Sequence, residues 1–186
     1  MNRSAGLNAA ILLTLLGLGL IASDGYAEQK KNKEELVKVI LATIRGFRFV
    51  YVEYVMDRVE RAGIYPKEDW VRDPHAIMLP IQLVKAAGVE VKKEIADLEI
   101  GLISLSPINP DNAPKTTREE DTLRAMVANP KQTVLTFGDG AQFKGLEADF
   151  AIEQECADCH NHHPQSPKKD FKKGDLMGAI VVRVNE

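Results

Sequence analysis

Between Lys30 and Ala62 the apolar residues Leu36, Val37, Ile40, Ile44, Phe47, Tyr51, Tyr54, Val55 and Val59 recur at threes and fours, with Lys38, Arg45, Arg48, Glu53, Asp57 and Arg61 interleaved. That period is helical. The spacing therefore predicts one long amphipathic helix, stopped at Gly63. A helix of this length exceeds what a small core can cover. Its N-terminal half must pack on a second subunit or project from the domain, so a homodimer through this helix is an expected partner state.

Upstream, MNR carries positive charge, NAAILLTLLGLGLIAS is an apolar run, and GYA sets small residues before Glu28. This is the plan of a secretory signal peptide, which assigns residues 1–27 to the signal and 28–186 to a single exported domain. The rival is an uncleaved anchor, since Ala5 to Ala22 approaches membrane-spanning length, although Asn8, Thr14 and several glycines weaken it. The expected location is the periplasm, with a membrane-anchored form facing it as the alternative. Membrane contact follows only if the segment is retained.

Downstream, Asp73-Pro74 reads as a cap with proline in the first turn, opening a helix to Gly88 that Pro80 kinks or interrupts. Glu99 to Ser106 reads as a strand, and SPINPDNAP as an extended loop. Thr117 to Glu120 reads as a capping box opening a helix that ends before Asn129-Pro130. QTVLTF, a turn at Asp139-Gly140 and QFKGLEADFAI make a hairpin, and GAIVVRV is one more strand. Helices first and strands later describe an α+β domain with a small antiparallel sheet. A net charge of -3 and a pI near 5.9 exclude a nucleic-acid binder.

The only two cysteines sit in ECADCHNHHP, three positions apart, and His160 follows the second at once. Cys-x-x-Cys-His is the attachment pattern of c-type haem: two thiols on one turn reach two vinyl groups, and the next histidine lies under the iron. Two other readings compete. A thiol redox motif wants a strand-to-helix junction in a βαβ setting. A zinc site drawing on Cys156, Cys159, His162 and His163 wants a second, separated ligand pair.

CADCHNHHPQSPKKDFKKGDLMGAIVV resembles the haem-binding end of a family of single-haem c-type proteins with a PAS-like fold, and SPINPDNAPKTTREEDTL resembles its second signature. The resemblance runs from about Asp97 to the C-terminus. It implies one haem c, linked by thioethers at Cys156 and Cys159 and ligated by His160. It also implies that Lys168, Lys169, Lys172 and Lys173 lie near the haem edge, where a solvated loop is the plainer reading. Some members use an upstream cysteine as the distal ligand, and this chain has no third cysteine. The equivalent segment, HAIMLPIQ, offers Met78 and His75; Met78 is the expected distal ligand, with His75 and an open or otherwise filled site as the alternatives. Met56 and Met177 are more remote, and His162 and His163 are expected at the surface or beside a propionate.

Outside the motif no acid–base or nucleophile constellation is evident. The expected function is therefore electron transfer with a redox partner protein and without substrate turnover. The alternative is a redox or diatomic-gas sensor that signals through a separate partner.

Overall fold

The structure, a computed structural model, describes the backbone of residues 5–185 and side chains from residue 28 onward. The predicted signal segment thus lies outside the residues described with side chains. The chain divides into two units, Met1–Leu36 and Val37–Glu186. Helix α1 spans Ala5–Val50; the second unit opens inside it and contains the whole sheet. Among the described residues no helix is long and apolar enough to cross a membrane.

The predicted long helix is present, but not as one regular rod. At Tyr51–Met56 the coil widens into a π-helical turn before α2, Asp57–Glu60, and the chain turns at Gly63 with φ 81°. A short parallel pair follows, β1 (Tyr65–Pro66) with β2 (Ala76–Ile77).

Here the helix expected from Asp73 does not form. Pro80 opens α3, Pro80–Glu94, rather than interrupting it. Proline at the first helical position lacks only an amide that would go unpaired there anyway, and Gln82 Oε1 accepts from the Leu79 amide at 2.9 Å to complete the start.

A four-stranded antiparallel sheet follows in the order β3-β6-β5-β4. Its strands are β3 (Leu98–Ile103), β4 (Val134–Asp139), β5 (Gln142–Phe150) and β6 (Leu176–Asn185). Helix α4, Thr117–Ala128, joins β3 to β4. Its cap lies one residue earlier than predicted: Thr116 Oγ1 accepts from the Glu119 amide, and Glu119 reaches back to the Lys115 amide.

Alternation along the strands makes two cores. On one face Val37 and Leu41 of α1 and Val84 of α3 pack against Leu98, Leu102, Phe143, Ile180 and Val182. On the other, Leu123 and Met126 of α4 pack against Ile103, Phe137, Leu146 and Val181. Strand β6 is apolar toward both, as a central strand covered on each side must be. Two glycines let the layers approach: a Cβ on Gly88 would stand 2.5 Å from the Ile100 carbonyl, and one on Gly145 2.3 Å from Val37.

Candidate functional site

Helix α5, Gln154–His162, leaves the end of β5 and carries the whole motif. Its inner side is Ala157, fully buried with Ala151 and Phe171; Cys156 and Met177 pack against that cluster. Rotation about this anchor leaves Cys156 half-buried, Cys159 exposed and His160 half-buried. Pro164, just past the cap His163, prevents continuation.

The return segment holds the helix in place. Ala151 N donates to Asp175 O and Gly174 N to Ala151 O, both at 2.9 Å. Asn161 exchanges two hydrogen bonds with the Phe171 backbone, and the Phe171 ring meets His160 edge-on, 5.7 Å between centroids.

Both thiols are free. Burial pushes the Cys159 thiol up, with Glu68 and Cys156 adding to it. That is opposite to the depressed thiol of a disulfide oxidoreductase, and α5 follows an antiparallel strand rather than a βαβ crossover. The zinc reading fares no better: among the described residues no three of His, Cys, Asp or Glu are grouped to hold a metal ion.

His160 is distinctive. Its Nδ1 is buried without a hydrogen-bond partner. Burial lowers its proton affinity, nearby His163 lowers it further, and Glu68 partly opposes both. A neutral imidazole is the form that ligates a metal. A haem attachment turn needs two free thiols on one helical turn and an adjacent imidazole that is not consumed by the protein, and these three residues fit it. Beside Phe171 lies an open cavity of about 140 Å³, lined by residues including Ser104, Leu105, Lys168 and Met177. It is smaller than the roughly 300 Å³ at which ligand pockets usually begin, so it is not a crevice for a porphyrin.

The other predicted residues separate. Met78 stands half-buried between β2 and α3, its carbonyl accepting from Tyr51 Oη at 2.8 Å. It lies in the non-helical link between β2 and α3, not in a helix that Pro80 breaks. Its segment is linked only indirectly to α5: Lys67 N pairs with Ile77 O, and the next residue, Glu68, lies 3.2 Å from Nε2 of His163, the cap of that helix. His75 is exposed, and its amide donates to Asp73. His162 Nδ1 is exposed against the Asp158 carbonyl. Met56 lies in the π-helical turn and Met177 under Cys156.

Among the lysines, Lys168 pairs with Asp170 and lies over the Phe171 ring, Lys169 donates to the His163 carbonyl, and Lys173 pairs with Glu153. They brace the return segment around α5.

Sequence reasoning missed a buried charge cluster on the α4 face. Glu119 accepts from Lys144 Nζ at 2.8 Å and from Arg183 Nε at 2.7 Å, all three side chains being buried. Lys144 also reaches Asp139, and Arg183 reaches Glu99. The signal was Arg183 inside an otherwise apolar run, since a charge in a central strand must be paired.

Fold and site together define an α+β domain that presents a Cys-x-x-Cys-His helix beside a four-stranded antiparallel sheet. More particularly, a family model described as Tll0287-like matches residues 25–185, and the chain belongs to that family. Among solved structures, that of the cyanobacterial haem-protein Tll0287 is similar, at 17% identity and a TM-score of 0.57, over 82% of this chain and 96% of that one. No curated protein matches.

Proposed function

We propose that this protein is an exported carrier of one covalently attached haem c, acting in electron transfer as a mobile carrier or as the haem-bearing subunit of a redox assembly. The observation that carries the reading is the geometry of α5: two free thiols and, one position on, a buried His160 Nδ1 with no protein partner. Membership of a family that includes a haem-protein supports it. In this reading the fold is PAS-like, cleavage follows Ala27, and the mature protein works in the periplasm.

A bound haem supplies a one-electron iron couple. The chain's own residues do the rest. Cys156 and Cys159 would hold the group covalently, as thioethers formed from their free thiols. His160 offers a neutral imidazole whose plane Phe171 sets from the side. Met78, whose segment is tied through Lys67 and Glu68 to the cap of α5, would be the second residue to hold the iron. No residue here is asked to turn over a substrate.

One observation favours sensing as a second reading. Tyr51 ties the π-helical turn that follows α1 to the Met78 carbonyl. A change at the distal ligand would therefore be felt in the long helix, a two-state element of the kind signalling needs.

A denaturing gel stained for haem peroxidase activity tests the proposal. Protein from cells that mature c-type haem should stain, and Cys156→Ser with Cys159→Ser should not. A colourless wild-type band overturns the reading.

A further inference from the structure

Helix α1 turns its polarity the wrong way for a helix facing water. Arg48 is 12% exposed and lies 2.8 Å from Asp149, whereas its neighbours Phe47 and Phe49 are 71% and 48% exposed. Arg45, itself 63% exposed, reaches the buried Glu147 at 2.9 Å. The rotation is not free, because Val37 and Leu41 are locked in the core on the same side. The consequence is an outward face on which Val39, Phe47, Val50 and Tyr54 stand in water, with Phe49 edge-on to Tyr54 at 6.4 Å. Most exposed apolar residues of a globular protein are scattered and need no explanation, but a contiguous stripe marks a contact surface.

We propose that the outward face of α1 and of the π-helical turn that continues it, from Val39 to Tyr54, is a two-fold self-association surface, and that the protein is a homodimer paired along this helix. Three features select a second copy as the occupant. First, the face sets its smallest residue beside its largest projection: Gly46 is exposed with open space where a side chain would stand, and Phe47 beside it is 71% exposed. A two-fold contact needs knob and hole on one surface, because residue i meets j and j meets i.

Second, the area reaches the lower end of the range: complete burial of these five side chains would cover about 550 Å² per copy, roughly 1,100 Å² for the pair, against the roughly 1,000 Å² that a specific interface requires. Third, both arginines between Val39 and Tyr54 are ion-paired to carboxylates of β5, Arg48 to Asp149 and Arg45 to Glu147, so neither is an unpaired cation to draw the helix to an anionic lipid surface.

Sedimentation equilibrium of the mature, haem-loaded protein up to roughly 100 µM, a range that captures even weak interfaces, is expected to give twice the chain mass. Phe47→Glu with Val50→Glu should give single-chain mass with an unchanged far-ultraviolet circular dichroism spectrum. Gly46→Leu, which fills that open space and raises helix propensity, should weaken association at least about tenfold. A monomeric wild type overturns the proposal, whether it stays free or floats with vesicles of phosphatidylethanolamine and phosphatidylglycerol. So does a glutamate pair that folds and remains dimeric.

Discussion

Asn161 and Phe171 hold each other by two hydrogen bonds: Asn161 Nδ2 donates to the Phe171 carbonyl at 2.8 Å, and the Phe171 amide donates to Asn161 Oδ1 at 2.9 Å. Asn161 directly follows His160, and Phe171 stands edge-on to the His160 ring. One amide side chain thus ties the segment that orients the imidazole to the helix that carries it.

Asn161→Ala would leave both Phe171 backbone groups without partners in a half-buried site, a loss of about 1–3 kcal/mol. The expected outcome is a lower thermal midpoint together with a shifted reduction potential, because the ligand's support is lost as well as packing. Asn161→Asp keeps the acceptor and loses the donor, so it should fall between the two. An unmoved potential in Asn161→Ala would reduce the pair to a packing detail.

Gly88→Ala sets two effects against each other. Alanine favours the helix by about 1 kcal/mol over glycine. The new Cβ would however stand 2.5 Å from the Ile100 carbonyl, and β3 is held to β6 along its whole length. Overpacking against backbone that cannot retreat costs about 1–3 kcal/mol. The net expectation is destabilisation, read as a lower urea midpoint with unchanged slope. A higher midpoint would show that α3 can slide.

What the sequence made legible was what is local in it. Cys156, Cys159 and His160 lie within about one turn, so their co-operation needed no tertiary knowledge, and the apolar runs of β5 and β6 with the turn at Asp139-Gly140 announced the sheet. Position along a helix was less secure. Pro80 obeys the same rule as Pro74, and only the partner at Leu79, satisfied by Gln82, distinguishes the real start. The cluster around Glu119 was out of reach because its partners are distant, Lys144 by 25 positions and Arg183 by 64. The outward Phe47 and Phe49 were hidden for another reason. The helical period marks Phe47 as core, and it is Arg48's pairing with Asp149 that turns the helix otherwise.

Tyr51 and Met78 give the distal ligand its own test. Met78→Ala should remove the weak sulfur-to-iron charge-transfer band at the red end of the oxidised spectrum, lower the potential and admit carbon monoxide to the reduced form. Tyr51→Phe, which removes only the hydrogen bond to the Met78 carbonyl, should weaken the band without abolishing it. An unchanged spectrum in Met78→Ala would pass the role to His75 or leave the site open, and His75→Ala would decide between them.

The acid limb of stability should belong to Glu119. Burial alone would push its carboxyl up, but hydrogen bonds from Arg183, Lys144 and the Lys115 amide outweigh it and hold the group at about 2, against 4.5 ordinarily. A folded-state value below the unfolded one means the unfolded chain binds the proton first. The stabilisation is therefore complete above about pH 4.5 and is lost as pH falls from there toward 2. Its size is roughly 3 kcal/mol at about 1.4 kcal/mol per unit. Glu119→Gln should cost about 3 kcal/mol at neutral pH, the lower end for a broken buried pair, because Lys144 keeps Asp139 and Arg183 keeps Glu99. The same variant should also flatten the fall between pH 4.5 and 2, since the proton that drives it has lost its site. Urea unfolding followed by circular dichroism across that range measures both, and a variant that keeps the wild-type slope would assign acid sensitivity to other carboxylates.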